Sequence, residues 1–327
     1  MTTLRELGER EAIRRLARIV GTRPDVAVGI GDDCAVVAAE GSPCDWVLTT
    51  DPVIEGVHFA PDAEPRRIGH KAAGRCLSDL AAMGAEPLWL LIDLVAPPDT
   101  AMERLEEVYR GATALCARHG AAIVGGDTAR GERLELHVFA VGRVPRGTAL
   151  LRSGARPGDT PYVTGALGGS LAGRHLDFEP RVEEGRWLRE GGWAGALMDL
   201  SDGVAADLRR MLEQSGAGAE LELAAVPVSD AARAPVDGRA PLEHALCDGE
   251  DFELLFTVPA ARRAAFESAW RGRFALACTA IGAITASAGE MTAIAPDGRR
   301  APLAQDGYQH FVEEERVQGS GFGVQVS

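Results

Sequence analysis

The chain has 327 residues, enough for two domains with separate cores, and its 46% hydrophobic and 25% charged residues are those of an ordinary globular protein. A net charge of −14 argues against a nucleic-acid or anionic-membrane surface. The longest apolar run, Leu88 to Ile92, is too short to cross a bilayer, and the N-terminus has no signal-peptide pattern. The six cysteines (34, 44, 76, 116, 247 and 278) form no Cys-x-x-Cys pair, and no two of the seven histidines stand four apart, so zinc is not expected. Free thiols in a reducing cytoplasm are. Among the 34 Lys plus Arg, Lys71 is the single lysine, and no Gly-Lys dipeptide exists for a P-loop. Any phosphate chemistry must therefore fall to arginine, backbone amides and metal ions.

In chain order, Thr3 and Glu6 form a capping box that opens a helix with Leu4, Leu7, Ile13, Leu16 and Val20 on its apolar side, stopped by Gly21. A strand at Val26–Ile30 ends in Asp32-Asp33, with Gly29 and Gly31 letting the backbone turn beside them. Two such neighbouring charges repel by about 4 kcal/mol at ~4 Å and an effective dielectric of 20, which a hard divalent cation relieves. A second strand, Trp46–Thr49, is predicted to end in Thr49-Thr50-Asp51. Residues 65–83 read as a helix with Asp79 at the edge of its apolar stripe, where a carboxylate is costly unless paired or metal-bound. Strand 88–95, helix 102–119 and strand 121–124 follow, the last running into Gly125-Gly126-Asp127-Thr128; strand 134–144 closes the first unit.

Around residues 145–159 the composition shifts to Arg, Gly and Pro, which marks a domain boundary. The expected domains are 1–147, binding nucleotide and metal and forming a dimer, and 148–311, with 312–327 a disordered tail. In the second domain, Gly165-Ala-Leu-Gly-Gly-Ser170 is expected to open a helix in a manner suited to a phosphate. Strand 196–198 leads into Asp199-Leu-Ser-Asp202-Gly203 and a helix to Ser215, and Asp248-Gly-Glu250-Asp251 precedes a strand at 252–258. Further strands are expected at 221–224 and 280–284, with helices within 180–193 and over 260–271.

Acidic groups thus recur at the ends of apolar segments, as in an open α/β site. Glycoside hydrolysis would want aromatic platforms, and aromatic residues are only 5% of the chain. Calcium loops need a D-x-D-x-D-G spacing that is absent. Metal-assisted phosphoryl transfer needs carboxylates, hydroxyls, glycine amides and an arginine, and it fits best.

Seven blocks then carry a specific resemblance: Gly29-Ile-Gly-Asp-Asp33, Thr49-Thr-Asp51 with Gly56-Val-His58-Phe, Leu77-Ser-Asp-Leu-Ala-Ala-Met-Gly-Ala85, Gly125-Gly-Asp-Thr128, Asp199-Leu-Ser-Asp-Gly203, Gly249-Glu-Asp-Phe-Glu253 and Gly307-Tyr-Gln-His-Phe311. In this order they resemble the thiamine-monophosphate kinase family. The resemblance implies the two-domain α/β fold shared with aminoimidazole ribonucleotide synthetase, its N-terminal sheet closing a barrel in a homodimer and its C-terminal half an α/β layer domain. It implies ATP and thiamine phosphate as substrates, thiamine diphosphate as product, several Mg²⁺ ions, and no catalytic general base. Position by position, Asp33, Thr49, Thr50, Asp51, Asp79, Asp127, Asp199 and Asp202 resemble the family's metal ligands. Gly126, Asp127, Arg152 and Ser201 match its nucleotide contacts, and His58, Glu250 and Tyr308 its acceptor contacts.

The chain departs from the family in a shortened stretch between Ser170 and His175, in Asp177-Phe178 where a proline is usual, and in Asp248 in place of a glycine. Selenophosphate synthetase is disfavoured because the first cysteine is Cys34, and the hydrogenase-maturation relative because the chain ends Val-Gln-Val-Ser. The rival readings are an aminoimidazole ribonucleotide synthetase-like ligase and a non-catalytic nucleotide-binding homologue.

Overall fold

Apolar residues at every second position between residues 26 and 145 build a mixed six-stranded sheet. Its strands are β1 (Val26–Val28), β2 (Ala35–Ala38), β3 (Cys44–Ile54), β4 (Glu86–Ala96), β5 (Ala122–Arg130) and β6 (Glu135–Pro145), in the order β1-β2-β3-β6-β4-β5. Only β4 and β5 pair in parallel. The structure, a computed structural model, describes residues 2–234, 237–303 and 307.

Helices α1 (Leu4–Ala17), α2 (Pro65–Ala82) and α3 (Met102–Arg118) belong to the same half of the chain. Val47, Val53, Leu90, Ile92, Leu136 and Val138 on one sheet face share a core with Ile68, Ala72, Leu77, Leu80, Val108 and Leu115 of α2 and α3. The other face carries Trp89, Leu91 and Phe139, which are 43%, 38% and 36% exposed. Helix α2 starts with Pro65 and the Glu64 carboxylate, which accepts the Arg66 and Arg67 amides, and it stops at Gly84 with φ 63°. Glycines let it sit very close to its neighbours. A Cβ on Gly69 would strike the Val108 carbonyl, one on Gly111 of α3 the Arg66 carbonyl, and one on Gly185 the Ala81 carbonyl.

Beyond residue 159 come β7 (Thr160–Thr164), α4 (Val182–Glu190), β8 (Leu197–Asp199), α5 (Val204–Ser215), β9 (Gly218–Glu222), α6 (Asp230–Arg233), α7 (Pro241–Cys247), β10 (Leu254–Val258), α8 (Arg263–Arg273), β11 (Cys278–Ala280), β12 (Gly282–Thr285), β13 (Met291–Ile294) and β14 (Arg300–Pro302). They form two four-stranded sheets, β11-β7-β10-β8 and β12-β9-β13-β14. An aromatic cluster of Tyr162, Phe256, Phe266 and Trp270 fills the core beside the first, with Tyr162 and Phe266 edge to face at 5.0 Å.

Residues 2–22 belong to a unit separate from residues 23–308. In it the expected capping box is present, but Gly8 (φ 69°) breaks α1 and the helix ends at Ala17, short of Gly21. Leu4, Ile13, Leu16 and Val20 are exposed. Two other expectations are corrected. The strands do not end at their acidic motifs: β3 runs through Thr49–Asp51 to Ile54, and β5 runs through Gly125–Thr128 to Arg130, because both keep their ladder partners. The stretch 165–170 opens two 3₁₀ turns, Ser170–Ala172 and Arg174–Leu176, instead of an α-helix, with Gly168 and Gly169 left-handed. Tyr308 and the tail 312–327 lie outside the described residues. Among the described residues, no helix is long and apolar enough to cross a membrane.

Candidate active site

The site is built around α2, whose residues Lys71, Arg75 and Asp79 recur every four positions and so share one face of the helix. At its C-terminal end the Asp79 carboxylate meets Asp33 from the loop after β1 and Asp199 from the end of β8. One oxygen from each lies within 4.8 Å of the others. Hydroxyls hold two of them from behind. Thr49 on β3 donates to Asp79 at 2.5 Å, and Ser78, next to Asp79 on α2, donates to Asp199 at 2.6 Å.

Burial and mutual repulsion push Asp79, Asp199 and the adjacent Asp32 towards neutrality. Asp79 is raised well above the usual carboxylate range by desolvation, then by Asp51, Asp199 and Asp33, against the pull of the Thr49 hydroxyl. Asp199 is raised to about 7 by desolvation and by Asp33. Asp32 is raised to about 6, again by burial first and then by Asp33. Among the described residues the buried Oδ2 of Asp33 has no hydrogen-bond partner. A divalent oxygen-seeking cation satisfies all of this at once: it fills the orphaned lone pair and removes the repulsion. Asp33, Asp79 and Asp199, with Thr49 behind them, therefore fit Mg²⁺.

Arg152 flanks the cluster. Its guanidinium donates to Asp33 at 2.6 Å and its backbone amide to Asp32 at 3.1 Å. Desolvation opposes its charge, but Asp33 and Asp32 outweigh that and raise its pKa further. Towards the other end of α2, Arg75 bridges Asp51 (2.9 Å) and Glu250 (3.0 Å), while its plane lies 5.7 Å from the Phe252 ring. Lys71 is fully buried and donates to Glu250 at 2.6 Å and to the His58 carbonyl at 2.5 Å. These cations and the His175 ring overcome the desolvation of Glu250 and lower it to about 2.

The remaining sequence-predicted residues divide. His58 is buried and its Nδ1 accepts the Ile54 amide at 3.0 Å. Asp202 pairs with Arg210 at 2.5 Å, beside the buried Asp207, and the Ser201 carbonyl accepts the Glu250 amide at 2.7 Å. Thr50 and Asp127 lie across the sheet. Thr50 is exposed opposite Phe139 and donates to the Val138 carbonyl at 2.9 Å. Asp127 pairs in register with Asp93, between the inward residues Ile92 and Leu94, so both carboxylates face outward on the side opposite α2. Gly126, in the row with Asp51 and Ile92, approaches the Ile92 carbonyl so closely that a Cβ would overlap it. The Gly168 and Gly169 amides donate to the Asp251 and Asp248 carboxylates, both at 2.9 Å. They are spent on the protein's own acids and do not cradle a phosphate.

Comparison with known proteins places most of the chain in one family. Residues 31–144 match the family described as AIR synthase related protein, N-terminal domain, and residues 158–293 match the corresponding C-terminal domain. The thiamine-monophosphate kinase of Escherichia coli K12 is 39% identical, over 91% of this chain and 96% of its own length. That of Rhodopirellula baltica is 45% identical, over 75% and 80% respectively. The chain belongs to the thiamine-monophosphate kinase family. It is a kinase with the fold of that family: the solved structure of AaThiL complexed with AMPPCP and TMP superposes with a TM-score of 0.81, at 31% identity over 95% of this chain and 99% of that one.

Within this thiamine-monophosphate kinase family member, sequence motifs find the carboxylates but pass over Lys71, Arg75, Ser78 and His175. The signal for the first two is the repeat of charged residues every four positions along α2: Arg67, Lys71, Arg75, Asp79. Ser78 and His175 carry no comparable sign, since each is defined only by a partner more than 70 residues away.

Proposed function

We propose that the protein transfers the terminal phosphoryl group of ATP to the phosphate of thiamine phosphate, in line and directly, giving ADP and thiamine diphosphate. The observation that carries this reading is the triad of the partly buried Asp33 and Asp79 and the buried Asp199, with its orphaned oxygen, beside Arg152. When bound, several Mg²⁺ ions would neutralise the phosphate oxygens on both reactants. Asp33, Asp79 and Asp199 would hold them with Thr49 and Asp51, and Asp202 is the further candidate ligand. The nucleophile is an oxygen of the substrate's own phosphate, ionised near neutral pH, so the chain needs no general base. Its task is to bring two anions together and align them. Arg152 would meet the triphosphate with Gly126 and Ser201, while His58, Glu250 and Tyr308 would form the acceptor side. The division of labour follows the chain, with metal and nucleotide mainly on residues 1–147 and acceptor specificity on 148–311.

The exposed apolar sheet face, with Trp89, Leu91 and Phe139, supports a homodimer in which two sheets close on each other. Thr50 and Asp127 then stand at that interface, where they would serve the nucleotide of a second copy.

The test is direct. Purified protein with ATP, Mg²⁺ and thiamine phosphate should form thiamine diphosphate and stoichiometric ADP. Parallel incubation with formylglycinamidine ribonucleotide should form nothing. Turnover of the ribonucleotide, or ATP bound without turnover of thiamine phosphate, would overturn the assignment.

A further inference from the structure

The acceptor side of the site is held together by a group outside every set of ligands named above. Lys71 has zero exposed surface, and its ammonium meets three separate segments: the His58 carbonyl at 2.5 Å, His175 Nδ1 at 2.8 Å and Glu250 Oε2 at 2.6 Å. The His58 carbonyl and Glu250 accept from it, and His175 Nδ1, beside the ammonium, donates to the same Glu250 oxygen at 3.0 Å. The segment it grips most strongly is also the most strained. Glu250 (φ 63°) and Phe252 (φ 50°) are the non-glycine residues in the left-handed region among the described residues, a conformation that crowds a Cβ against the backbone.

Such a turn persists only where its surroundings over-determine it. Here the Glu250 and Phe252 amides donate to the Ser201 and Leu200 carbonyls at 2.7 and 2.8 Å, and the Ser170 hydroxyl donates to the Glu250 carbonyl at 2.6 Å. Those bonds fix the backbone. The carboxylate is aimed by Lys71 and His175 on Oε2 and by Arg75 on Oε1. Arg75 also reaches Asp51, and the Glu250 amide reaches the Ser201 carbonyl, but Lys71 itself touches none of Asp51, Ser201, Arg152 or the Asp33–Asp79–Asp199 triad.

We propose that Lys71 is a positioning residue for the acceptor substrate: it locks the His58 loop, the His175 turn and the Glu250 turn into one preformed wall, and it acts on acceptor binding and not on the nucleotide. Its amine stays out of contact with substrate and contributes by keeping Glu250 and His58 in place. The inference rests on the assignment of Glu250 and His58 to the acceptor side.

The experiment measures KM for thiamine phosphate and for ATP in the wild type, Lys71→Met, Lys71→Gln, Glu250→Gln and the double variant Lys71→Met/Glu250→Gln. The thermal shift caused by Mg²⁺ with a non-hydrolysable ATP analogue serves as the control for an intact nucleotide half. Lys71→Met is expected to raise KM for thiamine phosphate roughly tenfold or more and to leave that for ATP within about twofold. Lys71→Gln keeps donors without the charge; it is expected to fall between wild type and Lys71→Met, and it carries the test if Lys71→Met does not fold. Because part of the Lys71 effect runs through Glu250, the double variant should fall short of the product of the two single effects. An unchanged KM for thiamine phosphate in both lysine variants, equal changes in the two KM values, or full additivity in the double variant would each overturn the proposal. Loss of the nucleotide-induced shift in both lysine variants would overturn it too, by making Lys71 a general structural residue. A wild type that does not phosphorylate thiamine phosphate defeats the functional reading itself, and this inference with it.

Discussion

Replacing Asp79 by asparagine should make the metal-free protein more stable and the enzyme inactive. One oxygen each from Asp33, Asp79 and Asp199 lies within 4.8 Å of the others, so each ionised pair would repel by about 3.5 kcal/mol at an effective dielectric of 20. The protein escapes most of that by taking up a proton, with Asp79 raised well above the usual carboxylate range. Uptake has its own cost. The folded state keeps a proton that the unfolded chain releases near pH 4, so stability falls as pH rises towards the folded pKa, by about 1.4 kcal/mol per unit. The size is set by Asp199, raised to about 7 in the same cluster: roughly 4 kcal/mol by pH 7 if one group holds the proton alone, and about 2 kcal/mol for Asp79 when the two share it. Asparagine is permanently neutral and can still accept the Thr49 hydroxyl, so it removes the penalty. In a domain of this size the gain should appear as a rise of roughly 4–8 °C in the melting midpoint without metal. The gain should shrink to almost nothing near pH 4. Calorimetry of wild type and Asp79→Asn, with EDTA and with Mg²⁺, from pH 4 to 8, measures it. A lower midpoint for the metal-free variant at pH 7, or a wild-type-sized response to Mg²⁺, would refute the reasoning.

Titrating the wild type with Mg²⁺ near pH 6.5 should release about one proton, because the cation replaces the proton held among Asp79 and Asp199, the latter raised to about 7. Heats measured in buffers of different ionisation enthalpy give that number, and no release would remove the triad as the metal site. Trp89→Glu, which places a charge on the exposed sheet face, should give a monomer by sedimentation with little change in melting midpoint. A variant that stays dimeric would move the interface elsewhere. Gly69→Ala should cost more than about 3 kcal/mol, seen as a midpoint lower by roughly 6 °C or more, since the new methyl group meets the Val108 carbonyl.

How far the sequence reaches can be judged at single residues. Asp33, Asp79 and Asp199 are legible because each is a polar residue beside an apolar run, and the structure gathers them at one place. Thr50 and Asp127 belong to the same motifs yet face the other side of the sheet, because β3 and β5 run through the motifs and not up to them. A strand that continues alternates its side chains, and a motif read as a turn hides that alternation. The glycines at 165–169 mislead for a related reason: their amides suit an anion, and the anions are Asp248 and Asp251 of the protein itself. Lys71 is visible as the chain's single lysine and as a member of the four-residue repeat, but neither sign names its partners. Its three partners lie 13, 104 and 179 residues away, distances that no local pattern spans. The short strands β13 and β14 escape notice because neither has more than four residues.

The glycine contacts along α2 have a mechanical consequence. Backbone meets backbone at Gly69, Gly111 and Gly185: the Val108 carbonyl presses on α2, and the Arg66 and Ala81 carbonyls of α2 press on its neighbours, with no side chain between to yield. A rod gripped in this way can neither roll about its axis nor slip lengthwise, and the row Lys71, Arg75, Asp79 behaves as teeth on a fixed rack. The distance between the acceptor end and the metal end, two helical turns, is therefore set before any ligand arrives.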